Sequence, residues 1–115
     1  MNPGFQDLFS IRGKVALVTG GSRGIGEMIA SGFAAQGAKV YISSRKAEAC
    51  DATARRIADA YGATCVSLPA DLSKLEGVQS LARRLAEREP KLDILVNNAG
   101  AAWGEAIDTF PEAGW

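Results

Sequence analysis

Thr19-Gly20-Gly21-Ser22-Arg23-Gly24-Ile25-Gly26 is the stretch on which the fold of this chain turns. Ahead of it runs Lys14 to Thr19 (KVALVT), continuously apolar from Val15 to Val18, as a strand covered on both faces should be. Behind it, from about Gly24 to Gln36, the apolar residues take a helical period. The glycines are spaced T-G-x-x-x-G-x-G, and each has its own physical task. Gly20 allows the sharp turn off the strand, Gly24 lets backbone approach a pyrophosphate, and Gly26 permits close helix-to-sheet packing. The helix N-terminus meanwhile presents N–H groups to an anion. A bland glycine-rich turn is the alternative; the agreement of glycine spacing, preceding strand and following helix weighs against it.

Working outward, Ile25, Met28, Ile29 and Phe33 form the face expected to pack on the sheet, and Gly37 supplies a C-terminal stop. A second strand is expected over Lys39 to Ser43. The helix after it runs from about Lys46 to Tyr61, with Cys50, Ala54, Ile57, Ala58 and Tyr61 on one side and Gly62 ending it. Cys50 reads as a small core residue. A third strand, Thr64 to Leu68, leads through Pro69-Ala70-Asp71-Leu72 to a helix whose expected cap is Ser73, with Glu76 completing a capping box. Leu75, Val78, Leu81, Ala82 and Leu85 are its expected buried stripe, and Pro90 stops it. Leu92 to Val96 supplies a fourth strand before Asn97-Asn98-Ala99-Gly100. Repeated βα units of this kind predict an α/β fold: a parallel sheet of about four strands with helices on both faces. In such sheets ligands bind beyond the carboxyl ends of the strands, near the point where strand order reverses. The turns beginning at Gly20, Ser43, Pro69 and Asn97 are those ends.

The 115 residues, 47% hydrophobic and 23% charged, suit one domain over 1–115 and argue against disordered and membrane classes. Thirteen Lys+Arg balance thirteen Asp+Glu, so there is no global footprint for nucleic acid or an anionic membrane. An anion site has to be local. The sequence has no His, which removes the commonest metal ligand and the commonest general base and leaves Cys50 and Cys65 as the soft ligands. A metal centre and a Ser-His-Asp triad are therefore not expected. The two cysteines form neither a CxxC pair nor a disulfide framework, and MNPGFQDLFSIR lacks the pattern of a signal peptide. No apolar run approaches the ~20 residues needed to cross a bilayer. A cytoplasmic location follows as an expectation.

Past the second strand, about twenty residues after the glycine turn, an NAD-binding fold places an acid on the ribose 2′-OH. Here the residues are Ser43-Ser44-Arg45. Arg45, with Arg23 in the glycine loop, suits a 2′-phosphate and so NADP(H); alternatively both arginines are solvated surface residues. Asp71 belongs either to a turn with Leu72 and Ser73 or to a site. Adjacent Asn97 and Asn98 satisfy loop backbone in one reading and line a ligand in the other. Trp103, Phe110 and Trp115 read as packing residues.

With TGGSRGIG at 19–26, ADL at 70–72 and NNAG at 97–100, the chain resembles the classical short-chain dehydrogenase/reductases from about Lys14 onward. Within that family AEAC at 47–50 and LDILVNNAG at 92–100 are similar to the NADPH-preferring 3-oxoacyl-[acyl-carrier-protein] reductases. The resemblance implies the N-terminal portion of a doubly wound Rossmann fold. It implies that Gly20, Ser22, Arg23, Gly24, Ile25 and Gly26 hold the diphosphate and adenosine ribose of NADP(H), with Ser44 and Arg45 flanking the 2′-phosphate. The Asp71 side chain and Leu72 backbone would meet the adenine. Asn98, Ala99 and Gly100 would line the ribose side, with Asn97 and Asn98 also bracing the sheet. The implied activity is reduction of a 3-oxoacyl thioester or similar small-molecule carbonyl, by an enzyme that forms homo-tetramers when full length.

One departure qualifies that expectation. The family's chemistry is done by a Ser and a Tyr-x-x-x-Lys pair, aided by an Asn, in the half of the fold that follows the NNAG loop. Neither Tyr41 nor Tyr61 is followed by Lys four residues later; Arg45 and Cys65 stand there. No residue is therefore assigned a catalytic role, and the chain reads as the cofactor-binding half of a longer enzyme, inactive by itself because hydride transfer to a carbonyl needs a positioned acid. An unpaired apolar edge at Ile94-Leu95-Val96 would favour self-association. The competing readings are a non-catalytic dinucleotide-binding or interaction module and an NAD-dependent dehydrogenase.

Overall fold

In the computed structural model, which describes residues 10–98, strands and helices alternate along the chain. They are β1 (Val15–Thr19), α1 (Gly24–Ala35), β2 (Lys39–Ser43), α2 (Ala47–Tyr61), β3 (Cys65–Ser67), α3 (Leu75–Arg88) and β4 (Ile94–Asn97). All strand pairs are parallel, and the order across the sheet is β3-β2-β1-β4. The chain steps outward from β1 to β3 and then crosses back to the far side of β1. Strand order thus reverses between β1 and β4, where Thr19 is registered with Ser43 on one side and Asn97 on the other.

The period-two alternation of the strands divides the core into two layers. Val18, Val40 and Ile42 pack with Ala30, Ala34, Cys50, Ala54 and Ile57 under α1 and α2. Val15, Leu17 and Tyr41 face the other way and pack with Leu68, Leu81 and Leu85 beneath α3. Helices on both faces, expected from the continuously apolar first strand, are found. Cys50 is fully buried, as expected of a small core residue. Burial pushes the Cys65 thiol up to about 11, which keeps it protonated and unreactive at neutral pH.

α1 does not use the face its hydrophobic pattern predicts. Ile25 is 66% exposed and Met28 72%, whereas the buried residues are Gly26, Ala30 and Ala34. Ile29 and Phe33 reach the core from its flanks. These three small residues, four apart, form a ridge that brings the helix close to the sheet, closer than a stripe of large side chains would permit. α2 buries Thr53 in addition to Cys50, Ala54 and Ile57, while Tyr61 at its end is half exposed. It ends at Gly62 in the left-handed region (φ 59), as the sequence indicates.

The capping box at Ser73 does not form. The residue preceding α3 is Lys74, which makes no side-chain cap, and the Ser73 hydroxyl donates instead to Asp71 Oδ1 at 2.6 Å. A hydroxyl held by the preceding aspartate is not available to the helix. Of the expected stripe only Leu81 and Leu85 are buried; Leu75, Val78 and Ala82 are exposed. Val78 and Ala82 line an apolar groove of about 270 Å³ with Leu72, Leu92 and Leu95. The expected helix stop holds: α3 ends at Arg88, and Glu89, restricted by Pro90, is extended. β4 pairs with β1 and, among the described residues, with no other strand, so Leu95 is 60% exposed.

Two carboxylates tie the end of the sheet opposite the glycine loop. Glu89 accepts from the Tyr41 hydroxyl at 2.5 Å and pairs with Lys39 at 2.5 Å, joining α3 to β2. Asp93 accepts the Val15 N–H at 2.8 Å and donates its own N–H to the Val15 carbonyl at 2.9 Å, closing the start of β1 against the segment leading into β4. The hydrogen bond from Lys39 holds the Glu89 carboxyl below its usual range, and the Val15 N–H does the same for Asp93. A depressed folded-state pKa contributes stability above the unfolded value and loses it as pH falls through the folded one. The melting temperature is therefore expected to fall from about pH 4.5 downward. In Glu89→Gln and Asp93→Asn the neutral-pH value should be lower and the acid slope shallower in thermal melts followed by circular dichroism. Tyr41 and Lys39 are both raised, Tyr41 mainly by burial and Lys39 mainly by its bond to Glu89, so their contribution is lost on the alkaline side.

Candidate dinucleotide-binding site

The carboxyl ends of β1, β2 and β4 meet where strand order reverses, and the glycine loop is built onto them by backbone. Gly20 leaves β1 at φ 67 and donates its N–H to the Ser43 carbonyl at 2.7 Å, so the turn is closed onto the end of β2. Gly24 opens α1 at φ 62, and a Cβ placed there would meet nothing within 4 Å. A positive φ and open space are what a close approach to a ligand requires. At Gly26 the opposite holds. A Cβ would lie 2.1 Å from the Gly20 carbonyl oxygen and 2.8 Å from Asn98 Nδ2, so only glycine lets the helix pack this closely. The sharp turn at Gly20 and the close packing at Gly26 are found as the spacing indicates, and the space at Gly24 is open.

Arg23 precedes α1 in extended conformation and provides no side-chain cap. The first-turn N–H groups thus keep their partial positive charge available to an external acceptor. The exposed Arg23 and half-buried Ser22 flank them, and the exposed Ile25 side chain stands beside the same turn. A glycine-lined approach ending in uncapped N–H groups, with a guanidinium next to it, fits a dinucleotide diphosphate.

At the end of β2, Ser43 is fully buried and its hydroxyl has no partner among the described residues. Ser44 follows half-buried, its carbonyl accepting the Ala70 N–H at 3.0 Å, and Arg45 is exposed. That bond brings the segment after β3 alongside the segment after β2. Asp71 forms an Asx turn, its Oδ1 accepting the Ser73 N–H at 3.1 Å as well as the Ser73 hydroxyl. The Ser73 hydroxyl is the main cause of a lowered Asp71 pKa, with Lys74 and Arg45 contributing through their charge. The turn reading of Asp71 is thus realised. It engages one carboxylate oxygen and leaves Oδ2 and the half-buried Leu72 backbone beside Arg45's segment.

The end of β4 is joined to the loop through Thr19. Its hydroxyl accepts the Asn98 N–H at 2.9 Å and lies 3.1 Å from Asn97 Oδ1 and 3.3 Å from the Val96 carbonyl, to either of which it donates. Asn97 braces the sheet in this way, while the Asn98 side chain reaches Gly26 at the start of α1. Ala99 and Gly100, also expected at the site, lie outside the described residues. So do Trp103, Phe110 and Trp115.

Gly21, which lies in the motif but has no task read from the spacing, and Gly77 and Thr53, which belong to no motif, also shape the site. Gly21 is buried against Ile42, whose Cγ2 would stand 2.8 Å from a Cβ there. Gly77, in the first turn of α3, underlies the Asp71 turn: a Cβ would lie 1.9 Å from the Asp71 carbonyl oxygen. Thr53 of α2 donates to the Ser22 carbonyl at 2.9 Å. An isolated glycine inside a helical pattern is the one cue that marks Gly77. Among the described residues no group of three or more His, Cys, Asp or Glu side chains is placed to hold a metal ion, and no helix is long and apolar enough to cross a membrane.

The geometry has close counterparts. The chain is 55% identical over 107 residues to the rhamnolipids biosynthesis 3-oxoacyl-[acyl-carrier-protein] reductase of Pseudomonas aeruginosa, covering 93% of this chain and 41% of that protein. It is 38% identical over 110 residues to the 2-dehydro-3-deoxy-D-gluconate 5-dehydrogenase of Bacillus subtilis, covering 96% and 42%. Among solved structures, the Pseudomonas aeruginosa RhlG/NADP active-site complex superposes with a TM-score of 0.77 at 56% identity, over 81% of this chain and 37% of that one. The chain thus spans about two-fifths of the length of the curated relatives it matches. The family model described as short chain dehydrogenase matches residues 14–115, the glycine loop and all four strands included, and the chain belongs to the short chain dehydrogenase family.

Proposed function

We propose that the chain binds NADPH at the reversal point of the sheet and forms the cofactor-binding part of a ketoreductase whose substrate is a 3-oxoacyl thioester. The observation that carries the cofactor choice is the composition of the rim. Arg23 and Arg45 are both exposed beside the glycine loop, and no carboxylate ends β2. A carboxylate there would accept from a free ribose 2′-OH and repel a 2′-phosphate; guanidinium groups do the reverse. In this reading Gly20, Ser22, Arg23, Gly24, Ile25 and Gly26 hold the diphosphate and adenosine ribose, and Ser44 and Arg45 flank the 2′-phosphate. Asp71 and Leu72 meet the adenine, and Asn98, Ala99 and Gly100 line the ribose side. The bound cofactor supplies a hydride. The substrate assignment is supported by the identity to the Pseudomonas reductase. Tyr41 is no candidate acid, since its hydroxyl is held by Glu89 at the opposite end of the sheet. No acid for proton transfer is assigned among the described residues, and free cysteines suit a reducing, cytoplasmic setting.

Titration of the chain with NADPH, followed by cofactor fluorescence, should saturate. Arg45→Ala should weaken NADPH about tenfold, the scale of one charge-assisted hydrogen-bonded contact, and leave NADH nearly unchanged. Equal losses for both cofactors would remove the 2′-phosphate assignment. The 115-residue chain should bind NADPH without consuming it in the presence of a 3-oxoacyl thioester. The full-length protein should consume it, and reduction of sugars but not thioesters by that protein would overturn the substrate assignment.

A further inference from the structure

Thr53 belongs to none of the motifs in this sequence, yet it is the residue through which α2 grips the glycine loop. It is 3% exposed, and its hydroxyl donates to the Ser22 carbonyl oxygen at 2.9 Å, across 31 residues of sequence. Arg56, one turn further along, donates to Thr53 Oγ1 at 3.3 Å and pairs with Glu27 of α1. With Arg56 donating to the oxygen of Thr53, the single Thr53 proton goes to Ser22. The chain of contacts Glu27–Arg56–Thr53–Ser22 thus closes α1, α2 and the loop into one unit.

This bond has a geometric consequence. A trans peptide is planar, with its C=O and N–H pointing in opposite directions. Directing the Ser22 carbonyl at α2 therefore turns the Arg23 N–H away from α2 and fixes the plane from which the Arg23 side chain departs. Ser22 and Arg23 lie between Gly21 and Gly24, in a loop whose glycines leave its backbone torsions poorly constrained. The plane of the Ser22–Arg23 peptide is set by ψ of Ser22 and φ of Arg23, and the Thr53 hydroxyl is the hydrogen-bond donor that the structure places on its carbonyl. α2 starts two residues after Arg45, so the same helix that follows one rim arginine orients the peptide of the other.

We infer that Thr53 is a positioning residue for cofactor binding, which holds the Ser22–Arg23 peptide in the orientation that receives the dinucleotide; this rests on the reading of the glycine loop as a diphosphate site. The tie acts on the loop rather than on the 2′-phosphate, so its loss affects both nicotinamide cofactors alike.

The test compares Thr53→Val, Thr53→Ser and Arg56→Met with the unmodified chain. NADPH and NADH are titrated by fluorescence at a temperature where circular dichroism shows each variant fully folded. Thr53→Val should weaken both cofactors about fivefold, the factor that corresponds to one ordinary hydrogen bond, and preserve the NADPH/NADH preference. Thr53→Ser keeps the hydroxyl and should restore both affinities. Arg56→Met, a change at an exposed residue, should give a smaller loss in the same direction. Unchanged affinities in folded Thr53→Val, or a loss confined to NADPH, would overturn the inference and leave the cofactor assignment standing. Should Thr53→Val not fold, Arg56→Met decides, and unchanged affinities there overturn it. An unmodified chain that binds neither cofactor would overturn both.

Discussion

Gly26→Ala is expected to abolish measurable NADPH binding and to destabilise the chain by about 3 kcal/mol, the upper range for overpacking a closed contact. The added methyl would lie 2.1 Å from the Gly20 carbonyl oxygen, 2.7 Å from its carbon and 2.8 Å from Asn98 Nδ2. Two of these are backbone atoms of the turn that leaves β1, and Gly20 is itself pinned by its bond to Ser43. Rotation of the Asn98 side chain would relieve only the third contact. Relief requires α1 to move off the sheet, which uncovers the contacts of Ala30 and Ala34, or the turn to open, which displaces the N–H groups at the start of the helix. Urea denaturation and NADPH fluorescence measure the two effects. Gly32→Ala is the internal control: it lies in the same helix with nothing within 4 Å of a Cβ and no positive φ. It should be neutral or stabilising by up to about 1 kcal/mol, because alanine replaces glycine in a helix interior. Equal urea midpoints for the two variants would refute the packing argument.

The second large effect is expected at Gly77, where alanine should destabilise by about 2–3 kcal/mol and weaken NADPH. Its methyl would stand 1.9 Å from the Asp71 carbonyl oxygen, 2.7 Å from the carbonyl carbon and 3.3 Å from the Asp71 nitrogen. The first turn of α3 and the Asp71 turn cannot both keep their places. Moving the helix disturbs Leu81 and Leu85, the two residues that seat it on the sheet; moving the turn disrupts the bonds that Ser73 donates to the Asp71 carboxylate and the segment held to Ser44 through the Ala70 N–H. The first route shows as a lower urea midpoint, the second as a weaker NADPH titration in a chain that still folds. A variant unchanged in both would show that the approach is relieved at no cost.

Gly26 and Gly77 differ in how far each could be read in advance. Gly26 belongs to a spacing whose turn, strand and helix lie within a dozen residues, so its role was legible. Gly77 stands in an ordinary helical stretch, and its partner is known only once α3 folds back against the turn before it. Thr53 is a stronger case, since its acceptor lies on another element. The hydrophobic pattern misled at α1 because large apolar residues are usually the buried ones, whereas here Gly26, Ala30 and Ala34 set a close approach and leave Ile25 and Met28 outside. At α3 the pattern named five positions and the sheet covers two; Val78 and Ala82 face the groove beside Leu95. The capping box at Ser73 failed because the Asp71 carboxylate, two residues away, competes for the same hydroxyl.

The sequence by itself determined the order of the elements, the sharp turn at Gly20, the helix stops at Gly37 and Gly62, the end of α3 before Pro90, and the absence of an acid after β2. Each depends on torsional preference or residue chemistry within a few positions of the chain, and such preferences survive without knowledge of what lies opposite. Only the tertiary structure decided that β4 returns to the far side of β1, that Thr19 joins Asn97 and Asn98 to the end of the first strand, and that Gly77 and Thr53 hold the two turns of the site. The strand crossing and the Thr19 and Thr53 bonds join residues remote in sequence, selected by which faces fit when the sheet assembles; Gly77 is near Asp71 in sequence but meets it only when α3 folds back on that turn, and no local preference specifies any of them.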